Sequence, residues 1–399
     1  MPDSLTEGYA DVNGARLRYT VFPGPGELLV LHHGWQASQD TWTTFASLLS
    51  LKYSYSVLTF DCRGAGRSGS PPDGAFTIAQ LSDDLVGLVD VLFGPSQRFH
   101  VAAHSMGGLV GLQLLTSLEK SGRRDRLLSV MLVAPAPFTG IRVSPDYTAS
   151  THSAWRLART DPSAFDALVE ETAATQLPLV EGEQDREALL GRARRFCAIN
   201  MRCSEDHQVG LWQAMCDFRL DLGALPVDGP PVLIVAGGAD SNLPFNISDY
   251  LLVRKRIPVA LHCVASCGHG LPRDIPLQLA ETWLQFAARG AVTWRSLCKA
   301  HAASVVRGGA GGRGVGVAAA AGVIEGAGVW AATEAGTVVE AAAGVTAGVR
   351  VAARVGAAGV TADARTVGEA AEEGAERTRA AQQSGEGGRV RTSRGGARL

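Results

Sequence analysis

No Cys-x-x-Cys pair occurs in this chain, and its seven cysteines, at positions 62, 197, 203, 216, 263, 267 and 298, are odd in number and scattered. That pattern excludes a disulfide framework and a zinc ribbon, and it fits a reducing compartment. An excess of charge is lacking too: 37 Lys and Arg stand against 39 Asp and Glu, a net charge of −2. The balance gives no electrostatic case for nucleic acid or an anionic membrane as partner. No apolar run approaches the length of a membrane span. His32, His100 and His262 have no metal-ligand spacing among them, and no cofactor is expected. The opening residues, Met1-Pro2-Asp3-Ser4-Leu5-Thr6-Glu7, have neither a basic start nor an apolar core. The expectation is therefore no signal peptide and a cytoplasmic protein.

What is present is core-forming residue, 46% of the chain, and it is arranged in alternating strand and helix patterns. Ala10 to Phe22 alternates around Asn13-Gly14, which predicts an antiparallel hairpin. Glu27 to His32 and Tyr55 to Phe60 read as strands buried on both faces, with helical spacing over 41–51 between them. A clear amphipathic helix is predicted over 76–93, and a sixth strand over Leu128 to Val133. After an interruption, strands return at Pro231 to Ala236 and at 259–265, with helices near 246–257 and from Ile275 to Ala288. This rhythm implies βαβ units and a mostly parallel sheet flanked by helices. The interruption, 137–228, shows helical patterns anchored by Trp155, Phe165, Phe196, Trp212 and Phe218, and reads as a helical insertion after the sixth strand.

One stretch organises the rest: Arg98 to Val110, in which an apolar strand runs through Ala103-His104-Ser105-Met106-Gly107-Gly108 into a helical pattern. A turn that sharp needs small neighbours, and it pushes the serine hydroxyl out at the sheet edge above a helix N-terminus. With Ala103 where the usual pattern has its first glycine, the stretch resembles the nucleophile elbow of the α/β-hydrolase family, serine-nucleophile branch, carboxylesterase- or lipase-like. The resemblance covers about residues 8–290, interrupted by the helical insertion. It implies a core in two parts, 8–136 and 229–290, with 137–228 as a cap over the acyl pocket.

A serine needs a neutral imidazole to take its proton and a carboxylate to orient that imidazole. The family brings them in the order serine, acid, histidine, each in a loop beyond a strand. Ser105, Asp240 and His269 meet that order: Asp240 follows the strand ending at Ala236, and His269 stands between two glycines beyond the last strand. The alternative for Asp240 is a cap on the next helix. By the same resemblance the oxyanion donors are the backbone N–H groups of Met106 and of Trp35, which follows His33-Gly34, and the Trp35 indole lines the acyl pocket. Asp61 to Ser68 resembles the family's D-x-R-G-x-G-x-S loop and reads as structural support, with Arg63 and Arg67 solvated or ion-paired. His33 reads as architectural, His104 as a filler of the elbow's variable position, and His32, His100 and His262 as strand residues.

The activity this implies is cleavage of a small-molecule carboxylic ester through an acyl-enzyme on Ser105. Serine rather than aspartate at the elbow argues against haloalkane dehalogenase and epoxide hydrolase chemistry. A small-ligand receptor of the same fold, a carbon–carbon bond hydrolase and a perhydrolase remain open. From Ala300 the composition shifts to Ala, Gly and Val, so 300–399 is expected to be an unstructured or loosely helical tail outside the catalytic domain. Its end, Ala397-Arg398-Leu399, resembles a peroxisomal import signal, the alternative to a cytoplasmic location.

Overall fold

The computed structural model describes residues 4–175, 186–227, 229–265, 267–288 and three short strands between 321 and 342. These lie in one compact unit, Met1–Ala352; a second unit, Ala353–Leu399, lies outside the described residues. Two strands, β1 (Thr6–Val12) and β2 (Ala15–Phe22), form the expected hairpin, paired from Thr6 with Val21 to Val12 with Ala15. The two-residue turn needs a positive φ at both positions, and Asn13 (46°) and Gly14 (79°) supply it.

Six more strands follow: β3 (Leu28–His32), β4 (Ser56–Phe60), β5 (Phe99–His104), β6 (Leu127–Val133), β7 (Val232–Gly237) and β8 (Val259–Val264). Their order across the sheet is β1-β2-β4-β3-β5-β6-β7-β8, antiparallel at β1, β2 and β4 and parallel from β4 to β8. Helices α1 (Thr43–Tyr53), α2 (Ile78–Phe93) and α3 (Met106–Lys120) make the crossovers of the first half. Side chains alternate along each strand, so the sheet builds two cores. Leu28, Val30, Val101 and Leu132 face α2 and α3, whereas Leu29, Leu31, Ala102 and Val133 face α1 and the closing helix over 276–288, through Phe45, Trp283 and Phe286.

The insertion after β6 holds α4 (Pro145–Ala158), α5 (Pro162–Thr175), α6 (Arg186–Asn200) and α7 (Glu205–Asp217), and no strand occurs among its described residues. Helices α4 to α6 share a small core of their own, built on Trp155, Leu168, Val169, Ala193 and Cys197. Helix α7 instead joins the sheet's core through Leu211, Trp212 and Met215. The insertion is closed at its base: Leu220 N–H donates to Phe138 O at 3.0 Å, and Ile141 N–H to Met215 O at 3.1 Å. Asp249, on α8 (Leu243–Val253), anchors the exit by accepting the Phe138 N–H at 3.0 Å.

Within 300–399 the described residues are three short strands. Strands β9 (Ala321–Glu325), β10 (Gly328–Ala332) and β11 (Val338–Ala342) continue the sheet beyond β8, each antiparallel to its neighbour. A strand edge offers unpaired N–H and C=O groups to any extended segment, so pairing there does not require strong strand propensity. The remainder of 300–399, including Ala397-Arg398-Leu399, lies outside the described residues. Among the described residues no helix is long and apolar enough to cross a membrane.

The Asp61–Ser68 loop after β4 is fastened from inside. Arg63 Nε and Nη2 donate to Asp84 of α2 at 2.6 and 2.7 Å, and Nη1 donates to Ala75 O at 2.8 Å. Their side chains are 1% and 0% exposed, so this is an ion pair sealed in the core. Breaking such a pair leaves a buried charge unpaired, which costs about 3–5 kcal/mol. We expect Arg63→Met to lower stability by that order in urea denaturation, and Arg63→Met with Asp84→Leu to recover much of the loss.

Candidate active site

Strand β5 passes directly into α3 at Ser105, whose φ of 55° and ψ of −117° lie in a region costly for any side chain. Backbone hydrogen bonds hold it there: Ser105 N–H donates to Val133 O at 2.9 Å, and Ser105 O accepts from Gly108 and Ala136 at 2.9 and 3.0 Å. The small residues after the serine are a matter of space. A Cβ on Gly107 would lie 2.9 Å from both His32 O and His33 O, and one on Gly108 would strike Pro135 at 2.5 Å. The Ser105 side chain caps no helical N–H, which leaves the hydroxyl for another partner.

That partner is His269. Its Nε2 lies 3.0 Å from Ser105 Oγ and its Nδ1 lies 2.8 Å from Asp240 Oδ2. The carboxylate can only accept, so Nδ1 carries the proton and Nε2 presents a lone pair to the serine hydroxyl. The Asp240 side chain is 1% exposed and that of His269 28%: the acid is sealed while the imidazole can be reached from outside. Its other oxygen accepts the Asn242 N–H at 2.9 Å, which shapes the turn ahead of α8; the helix itself begins after Asn242, so Asp240 does not cap it. Three residues far apart in the chain are thus joined in one hydrogen-bonded line at the carboxyl ends of β5, β7 and β8.

The oxyanion candidates flank the serine. Met106 is the first residue of α3. Trp35 follows Gly34, which presses so close that a Cβ there would lie 3.0 Å from Ser105 Cβ. The Trp35 indole is engaged with the cap: its N–H donates to Gln208 O of α7 at 2.9 Å and its ring packs on Trp212, centroids 4.8 Å apart. Helix α7 is fastened to this end of the sheet at further points. Ser204 N–H donates to Gly64 O at 2.8 Å, and His207 Nδ1–H to Arg63 O at 2.8 Å. The glycine-rich loop is therefore the seat of the cap as well as a support of the core. Arg63 is taken up by Asp84, and Arg67 contributes its backbone N–H to the buried carboxylate of Asp61 at 3.0 Å.

Neutral, buried histidines surround the site. His33 Nδ1–H donates to Gly34 O at 2.8 Å while its Nε2 accepts the Cys62 N–H at 3.0 Å, which ties the loop after β3 to the loop after β4. His32 Nδ1–H donates to His33 O at 2.8 Å. Burial pushes both down to about 3, and His207 to about 4. His207 and Gln208 were not singled out from sequence. Ser204 marks the start of α7, its Oγ accepting the His207 N–H at 3.0 Å, but a cap signal says nothing of which loop the helix meets. Cys263 and Cys267 are free, and burial pushes both thiols up to about 12. Among the described residues no group of three His, Cys, Asp or Glu is placed to hold a metal ion.

A second serine–histidine–acid line exists at the opposite end of the strands. His100 Nδ1 lies 2.8 Å from Ser129 Oγ, and its Nε2 lies 2.9 Å from Glu27 Oε2. Ser129 is 2% exposed and sits within β6 with no helix beginning beside it. The residue types match, but no substrate carbonyl could reach that hydroxyl.

A model of the alpha/beta hydrolase family matches residues 29–282, and the chain belongs to that family. Over 279 residues it is 28% identical to the candidate carbamate hydrolase RutD of Variovorax paradoxus, a match covering 68% of this chain and 96% of that protein. It is 35% identical over 140 residues to the dihydrolipoyllysine-residue acetyltransferase component of the acetoin cleaving system of Cupriavidus necator, 35% of this chain and 34% of that longer protein. Among solved structures, the esterase of Thermogutta terrifontis superposes with a TM-score of 0.56 at 20% identity, covering 71% of this chain and 99% of that one. The enol-lactonase of Burkholderia xenovorans does so with a TM-score of 0.56 at 22% identity, covering 70% and 100%. At those identities the two structures establish the shared fold.

The buried imidazoles carry a pH signature. An unfolded chain protonates histidine near the ordinary value of 6.5, whereas folded His32 and His33 wait until about 3 and His207 until about 4. Between those limits the unfolded state binds more protons, so stability falls as pH drops, by up to about 1.4 kcal/mol per pH unit for each residue. Asp249 works the other way. Burial raises it to about 7, so its proton favours the folded state as pH falls from 7 toward 3.8. His262, also pushed down to about 4, adds a fourth imidazole, and together they outweigh Asp249 and the smaller upward shifts that burial gives Asp61 and Asp83, so we expect urea midpoints to decline from pH 7 to pH 4.5. A flat profile would mean that these histidines titrate normally in the folded protein.

Proposed function

We propose that this hydrolase cleaves a small-molecule carboxylic ester through an acyl-enzyme on Ser105. The observation that carries the reading is the continuous hydrogen-bonded line from Asp240 through His269 to Ser105 Oγ, set at a strained strand-to-helix turn. Ser105 Oγ attacks the ester carbonyl as its proton passes to His269 Nε2. Asp240 keeps the imidazole in the tautomer that can accept and stabilises the imidazolium that results. The negative oxygen of the tetrahedral intermediate takes the N–H groups of Trp35 and Met106, and the imidazolium returns its proton to the departing alcohol. Water then attacks the acyl carbonyl as His269 Nε2 takes its proton, and the imidazolium returns that proton to Ser105 Oγ as the bond to serine breaks and the acid leaves.

RutD, the relative matched over most of both chains, is named for carbamates, whose carbonyl bears a heteroatom leaving group as an ester's does. An alkoxide departs more readily than an amide nitrogen, so esters are the substrates to try first. The cap 137–228 is the roof of the acyl pocket in this reading, with α7 and Trp212 nearest to the serine side of the sheet.

The test is covalent labelling with a fluorophosphonate, together with turnover of a chain-length series of p-nitrophenyl esters. We expect Ser105→Ala to abolish labelling and to lower kcat by about a millionfold, and Asp240→Asn to cost nearer ten-thousandfold. Undiminished labelling of Ser105→Ala would overturn the assignment. Saturable ligand binding without labelling or turnover of the intact protein would point to a receptor instead.

A further inference from the structure

His104, at the end of β5, is 6% exposed and stands one residue before the nucleophile. Its Nε2 lies 2.8 Å from the backbone oxygen of His269, and the two imidazole rings are 4.9 Å apart. A carbonyl only accepts, so the proton of His104 is on Nε2 and its Nδ1 is bare. That Nδ1 is buried without a hydrogen-bond partner. It faces the opposite loop, where a Cβ on Gly34 would lie 3.3 Å from it. The ring therefore fills the space between the loop that carries His269 and the loop that carries Gly34 and Trp35.

Two features make this more than packing. An unpaired buried acceptor costs about 1–3 kcal/mol, and an apolar side chain would fill the gap without that cost. What the imidazole adds is a donor aimed at His269 O. His269 lies between Gly268 and Gly270; the Gly270 carbonyl is held by the Arg273 and Asp274 N–H groups at 2.9 and 3.0 Å, and the bond from His104 holds the carbonyl of His269 itself. Asp240 holds the ring and His104 holds the main chain, from two sides of one residue.

We propose that His104 is a positioning residue: its Nε2–H clamps the His269 backbone so that the imidazole stays within hydrogen-bond reach of Ser105 Oγ. The inference rests on Ser105, His269 and Asp240 being the reacting set. Burial also keeps the His104 ring neutral, since it pushes the group well below 6.5. A protonated ring would put an N–H with no acceptor against Gly34.

The experiment compares the full-length protein with His104→Leu, which removes the donor, and His104→Gln, whose amide N–H can reach the same carbonyl. The readouts are the fluorophosphonate labelling rate, kcat and KM on p-nitrophenyl acetate, and thermal unfolding. A displacement of ~1 Å at a reacting group costs about a hundredfold in rate. We expect His104→Leu to lose labelling rate and kcat toward that order with KM little changed, and His104→Gln to recover most of the loss. If His104→Leu does not fold, His104→Met takes its place as the variant without a donor. Wild-type labelling rates in the donor-free variant would overturn the proposal, as would equal losses in the donor-free and Gln variants, since these would make the effect one of shape. A folded wild-type protein that takes no label overturns the reacting set itself, and this inference with it.

Discussion

The reversal of the chain at Ser105, from buried strand to buried helix with no loop between, is the constraint on which the site depends. It holds because β5 lies between β3 and β6, so that the neighbours' ends are close enough to brace it: Val133 O takes the serine N–H, and the His32 and His33 carbonyls crowd Gly107. A turn in that conformation is tolerated only where its surroundings leave no alternative. The parallel strands β7 and β8 then deliver Asp240 and His269 at the same end of the sheet, as connections in a parallel sheet must. The meeting of Ser105, Asp240 and His269 at this edge is a consequence of topology before it is a consequence of residue type.

Ser129, His100 and Glu27 make that point from the other end. They reproduce the residue types and hydrogen-bond lengths of the first set. They lack the strained turn at which Ser105 sits and the helix that begins beside it. Distances of 2.8 and 2.9 Å are thus no evidence of reactivity by themselves. What differs is access, and access is set by which end of the strands the residues occupy.

The eight core strands and their crossover helices were legible because buried parallel strands write themselves as short unbroken apolar runs, and Asn13-Gly14 as a turn that few other pairs can make. Ser105, Asp240 and His269 were legible because each stands just past such a run. The side chains that fasten the site together were not. His207, Gln208 and the His104–His269 contact depend on which distant backbone group comes to lie opposite, and a single chain carries no periodic signal for that. Trp35 was expected to line an acyl pocket from its place after His33-Gly34; that its indole N–H donates to α7 was not legible. The pairing of Ala321–Glu325 with β8 is likewise carried by an open strand edge, and an Ala- and Gly-rich composition does not announce it.

The closed base of the insertion has a consequence for how such a protein can change over generations. Phe138 and Leu220 meet in a hydrogen bond, so the sheet experiences everything between them as a short connection whose ends are already together. Loop-closure entropy grows only slowly with length, and α4 to α6 bring their own core rather than drawing on that of the sheet. Changes in those three helices by descent reach the geometry at Ser105 through the contacts they keep with α7 and the His269 loop, such as Trp212 Nε1–H to Thr148 Oγ1 and Arg273 over the Phe196 ring. The proposed reacting groups and most of the helices that would roof them thus belong to separate packing units.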